Sequence, residues 1–127
     1  MLSLDELRLQ RELVNQIDWS MTPEKAVDMY LEWGAGWARG NDFVRGEGDI
    51  SIYFVIYEWE RPFQATLLKR SSRDVEEIAK ISIDHDTAQE SFSEFGKKAG
   101  VGVYPLTYKL KRQLSELLDG PPVAIEQ

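Results

Sequence analysis

Ile50-Ser51-Ile52-Tyr53-Phe54-Val55-Ile56-Tyr57-Glu58-Trp59-Glu60 decides how this chain folds. β-branched and aromatic residues recur at period two. Ile50, Ile52, Phe54 and Ile56 share one side; Tyr53, Val55, Tyr57 and Trp59 share the other. The pattern predicts a strand. Because both sides are apolar, both must be covered, which predicts a central place in a sheet.

Working outward, Glu60-Arg61-Pro62 predicts a turn into a second strand over 63–69, forming a hairpin. Pro62 has no N–H for the ladder and belongs at the strand's mouth. Residues 75–83 fit two patterns. Ala79, Ile81 and Ile83 alternate as in a strand, whereas Val75, Ile78 and Ala79 suit a helical turn; the spacing favours a strand over the second half. Thr87-Ala88-Gln89-Glu90 has the form of a capping box, opening a helix with Ala88, Phe92, Phe95 and Ala99 on one face and Gly100 as terminator. Pro105 opens a last helix with Leu106, Leu110, Leu114, Leu117 and Leu118 inward, ended by Asp119-Gly120-Pro121-Pro122.

Upstream, Ser3-Leu4-Asp5-Glu6 is a second capping box, and its helix buries Leu7, Leu13, Val14 and Ile17 and stops near Asp18. Thr22-Pro23 opens another helix, with Ala26, Val27, Tyr30 and Leu31 inward and Met29, Trp33 and Trp37 on an adjoining stripe. Residues 41–49 form a polar loop before the central strand. The expected fold is therefore α+β: two N-terminal helices, a two- or three-stranded antiparallel sheet, then two C-terminal helices. Segregation of this kind argues against a βαβ arrangement. The expected organisation is one domain over 1–119 and a short tail over 120–127.

Composition narrows the chemistry. The chain has 127 residues, 22 Asp+Glu against 15 Lys+Arg, and a net charge of −7. Having no Cys, it is without disulfides, thiolate nucleophiles and Cys-based metal sites. A single His rules out a multi-His metal site within one chain. The longest uncharged run, 99–108, is far below the ~20 apolar residues of a spanning helix, so no membrane association is expected. Met1-Leu2-Ser3-Leu4-Asp5-Glu6 carries acids where a signal peptide carries bases, which points to the cytoplasm.

Few residues have the right types and spacing for catalysis. His85, within Asp84-His85-Asp86, is the only imidazole available for proton transfer. The plainer reading is a solvated loop in which Asp84 or Asp86 caps the following helix. Glu58 and Glu60, on one strand face, form a carboxylate pair suited to acid–base work if one is buried, and otherwise guard a hairpin end. Asp42, Glu47 and Asp49 offer oxygen ligands to a metal, but their spacing does not match a calcium loop. Gly34-Ala35-Gly36-Trp37-Ala38-Arg39-Gly40 follows a helix rather than a strand, the wrong context for phosphate binding. No cofactor is implied.

The four Trp residues are the most informative feature. Trp33, Trp37, Tyr57 and Trp59 are the candidate ligand or interface residues, since aromatics anchor cores, interfaces and pockets alike. Residues 97–112 carry Lys97, Lys98, Lys109, Lys111 and Arg112 beside Tyr104 and Tyr108, a nucleic-acid-binding composition that the acidic balance opposes. Trp33-Gly34-Ala35-Gly36-Trp37 together with Tyr57-Glu58-Trp59-Glu60-Arg61-Pro62-Phe63 resembles a family of small acidic proteins of anaerobic sulfate-reducing bacteria. The resemblance spans the chain and implies no function, because the family carries no assigned activity. The expected role is non-enzymatic: self-association or protein-partner binding through an aromatic surface. A small-molecule binder or enzyme with an aromatic pocket is the alternative, and nucleic-acid binding through 97–112 a further one.

Overall fold

The computed structural model describes residues 1–20, 50–70, 75–99 and 102–120. The helix expected from Thr22-Pro23, the glycine-rich segment and the loop over 41–49 lie outside the described residues.

The strand read from sequence is β1 (Ser51–Tyr57), and it pairs antiparallel with β2 (Gln64–Arg70). β3 (Val75–Ser82) pairs antiparallel with β2 over its whole length, beyond the second half expected. A short β4 (Val103–Tyr104) lies antiparallel on the other side of β1. Among the described residues the sheet has four strands, where two or three were expected, in the order β3-β2-β1-β4 with β1 inside it. Ile50 falls outside β1 and is 51% exposed, so the inward role expected of it is corrected.

The helices begin at a capping box: Ser3 Oγ accepts from the Glu6 amide at 3.2 Å, and Glu6 Oε1 accepts from the Ser3 amide at 2.9 Å. The single helix expected there is two, α1 (Leu4–Leu9) and α2 (Arg11–Asn15), broken at Gln10. The Arg11 guanidinium braces the break. It donates to the Arg8 carbonyl at 3.0 Å, to the Leu118 carbonyl at 2.8 Å, and to the Asp119 carbonyl. Past α2 the chain meets β1, where the Asp18 amide donates to the Ile52 carbonyl at 2.7 Å.

α3 (His85–Ala99) starts two residues before the expected capping box, because Asp84 Oδ1 takes the Thr87 amide at 2.7 Å and so claims the cap. α4 (Tyr108–Leu117) starts after Pro105 rather than at it. Proline biases its predecessor towards extended backbone, which suits Tyr104 in β4, and the cap falls to Thr107, whose Oγ1 accepts from the Leu110 amide at 3.2 Å. Leu110, Leu114 and Leu118 face inward, while Leu117 is 41% exposed, a further correction.

Two cores result, one on each sheet face. Ile52, Phe54, Ile56, Ala65, Leu67, Ala79 and Ile81 meet Leu7, Val14, Leu110 and Leu114 from the helices, with Leu106 and Leu118 from the two flanks of α4. Tyr53, Val55, Tyr57, Leu68 and Val103 form the second, with Val75 against it. Every residue from Ile52 to Tyr57 is buried, so the two-sided covering expected of the ribbon is present. In α3, Ser91 is fully buried, and its hydroxyl has no hydrogen-bond partner among the described residues. Ser91→Ala removes that penalty and raises helix propensity, and is expected to add about 1 kcal/mol to stability by urea unfolding.

Candidate functional site: an aromatic pocket on the second sheet face

β3 contains a bulge. Leu67 pairs with Ala79 but Leu68 pairs with Glu77, leaving Ile78 as the extra residue, with its carbonyl accepting from the Leu2 amide at 2.9 Å. The extra residue reverses facing. Lys80 lies opposite Thr66 and Glu77 opposite Leu68, so two residues three apart in sequence reach the same face. Val75, Ile78 and Ala79 mimic a helical turn for the same reason.

On that face a cavity of about 440 Å³ is lined by Tyr53, Tyr57, Trp59, Glu60, Leu68, Val75, Glu77 and Lys80. Its apolar walls belong to the second core. Its polar end is an ion-pair cluster, in which the Lys80 ammonium bonds the Glu60 carboxylate and lies 3.7 Å from Glu77 Oε1. The Thr66 hydroxyl, also fully buried, donates to Glu60 Oε1 at 3.5 Å. The hydrogen bond to Glu60 holds the Lys80 pKa above its usual value, against burial that would lower it, helped by the charges of Glu60 and Glu77.

Trp59 stands at the rim, 56% exposed, stacked on Tyr57 with ring centroids 4.9 Å apart and planes at 16°. Beyond Tyr57 the strand gives way to a turn, held by the Arg61 guanidinium, which donates to the Glu58 and Glu60 carbonyls and lies 4.1 Å from the Phe63 ring centroid. The Arg61–Pro62 peptide is cis. On the β4 side, Gly102 has φ +79°, and a Cβ there would stand 2.9 Å from Trp59 Cζ3. Glycine is needed twice, for the backbone and for the indole. Gly102→Ala is expected to cost about 1–3 kcal/mol and to shift the near-ultraviolet dichroism of the displaced Trp59.

Of the residues singled out from sequence, Tyr57, Trp59 and Glu60 come together here. Glu58 does not join Glu60, which corrects the expected pair. The alternation ends with β1, and Glu58 Oε2 lies 3.4 Å from the Tyr104 hydroxyl, while Glu60 turns to Lys80. Burial, with the nearby Glu58 charge, raises the Tyr104 pKa. His85 is exposed in the first turn of α3, its ring 5.8 Å from that of Phe63, and is no wall of the pocket. The bonds from Thr87 hold the Asp84 carboxyl below its usual range, so this cap stabilises the fold at neutral pH and is lost as pH falls through that lowered value. Trp33, Trp37, Asp42, Glu47 and Asp49 lie outside the described residues. Among the described residues no group of three or more His, Asp or Glu could hold a metal, and no helix is long and apolar enough to cross a membrane.

In the basic region, Lys109 lies 3.9 Å from Glu90 and Arg112 3.7 Å from Glu116. Tyr104 is buried against Phe92 with ring centroids 4.5 Å apart, so it presents no stacking platform. Sequence reasoning missed Lys80, Glu77 and Gly102; only the isolated Gly102 between two valines carried a local signal. No family model matches the chain, and comparison with curated proteins and with solved structures gives no match.

Proposed function

We propose that the protein is a cytoplasmic, non-enzymatic binding protein that takes a small, largely apolar molecule into the pocket on the second sheet face. The observation that carries this reading is the cavity itself. About 440 Å³, mostly aromatic and aliphatic walls and a few polar groups gathered at one end are the attributes of a ligand site. Self-association through the same aromatics is less well supported. Tyr53, Tyr57 and Leu68 are buried, leaving Trp59 as the exposed aromatic among the described walls, whereas a stable interface takes roughly 800 Å² from each partner. Glu60, engaged by Lys80 and Thr66, is poorly placed for proton transfer, which favours binding over catalysis.

The test is thermal unfolding with tryptophan fluorescence across a panel of small aromatic and alicyclic compounds. A true ligand at 100 times its dissociation constant adds about 2.7 kcal/mol. Val75→Trp, which fills the cavity, is expected to abolish the response and keep the fold. A panel without saturable shifts, or equal shifts in Val75→Trp, contradicts the reading.

A further inference from the structure

Among the described residues, two carboxylates and one ammonium make up the polar end of the pocket. Lys80 is already bonded to Glu60 and sits close to Glu77, so one negative charge is left over. An anionic ligand would have to take Lys80 from Glu60 while facing both carboxylates. A neutral ligand would leave the excess carboxylate unused. The walls also include Tyr53, Tyr57 and Trp59, whose ring faces carry the negative lobe of the aromatic quadrupole. The chain's net charge of −7 attracts cations at longer range.

We infer that the pocket's ligand is an organic cation, with an ammonium group at Glu77 and its hydrocarbon part against Tyr53, Tyr57 and Trp59. This rests on the pocket being a ligand site. The carboxylate group left to the ligand is that of Glu77, which is 41% exposed on the pocket side of β3, while Glu60, only 15% exposed, keeps Lys80 in place. An ammonium there gains a charge-assisted hydrogen bond, and the hydrocarbon part behind it gains apolar contact with the rings. Without the bulge at Ile78, Glu77 would face the first core and the excess charge would be absent from the pocket.

The experiment uses three probes sharing a ring and chain but differing in charge: 2-phenylethylamine, 2-phenylethanol and phenylacetate. Each is titrated at pH 7 and low salt while the Trp59 indole N–H is followed by NMR, assigned with Trp59→Phe. The amine is expected to bind roughly tenfold tighter than the alcohol, with phenylacetate weakest. Glu77→Gln, which leaves the Glu60–Lys80 pair intact, is expected to bring amine and alcohol to near-equal affinity. Equal binding of all three probes, or phenylacetate tightest, overturns the cation assignment while leaving the pocket a ligand site. An undiminished amine preference in Glu77→Gln overturns it too. If no probe shifts the Trp59 resonance, the cation assignment and the ligand site fall together.

Discussion

Leu68→Ala is expected to destabilise the protein by about 2–5 kcal/mol, as much as Ile56→Ala, although the two side chains lie on opposite faces of the sheet. Ile56 is fully enclosed by the helical side. Leu68 is 2% exposed in the second core, beside Tyr53 opposite it on β1. Each truncation removes several buried methyl or methylene groups, worth about 0.8 kcal/mol apiece, and adds the cost of the cavity left behind. Surface substitutions stay within about 0.5 kcal/mol, so a sheet with one wet face would give a large value for Ile56 and almost none for Leu68. Urea unfolding of the two variants separates these outcomes.

Lys80→Met should cost about 2–3 kcal/mol, the larger part coming from what it leaves behind. Glu60 would keep its carboxylate in a mostly enclosed position, with only the long bond from Thr66 among the described residues to answer it. Removing one partner of an enclosed pair is more damaging than removing both. Glu60→Leu combined with Lys80→Met is therefore expected to recover most of the loss, and a double variant no more stable than the single one would contradict this. The pair also sets an alkaline limit. Because the Lys80 pKa is raised on folding, its contribution is complete below the usual lysine value of about 10.5 and disappears as pH rises through the folded-state value. Wild type should lose stability in that range more steeply than the double variant.

How much of this could be read from sequence depended on how far each pattern extended. The ribbon over 50–60 was legible because six successive residues, Ile52 to Tyr57, are all apolar and all buried, which leaves few alternatives to an interior strand. β3 was half legible, since the bulge at Ile78 interrupts period two and imitates helical spacing. β4 was not legible at all. Two residues carry no periodicity, and Val103 and Tyr104 are strand only because Ile56 and Tyr57 pair with them. The break at Gln10 was hidden likewise, being braced by Arg11 bonds to carbonyls more than a hundred residues away.

The site divides in the same manner. Tyr57, Trp59 and Glu60 could be named because they lie on or beside a strong local pattern. Placing Lys80 and Glu77 among them required knowing the β2–β3 register, and Gly102 matters through its contact with an indole 43 residues earlier. Glu58 misled for a related reason. Its pairing with Glu60 assumed that the strand continued, whereas it yields to a turn at Tyr57.

Native-state thiol labelling is the most direct measurement of the two-sided burial of β1, and the chain's lack of cysteine gives it a clean background. Val55→Cys and Ile56→Cys place one thiol on each face. Both should react with an aromatic disulfide at least about a thousandfold more slowly than an exposed cysteine, since access then requires unfolding. Rapid labelling at position 55, with position 56 still protected, would show the second face open to water and contradict both the fold's second core and the pocket built on it.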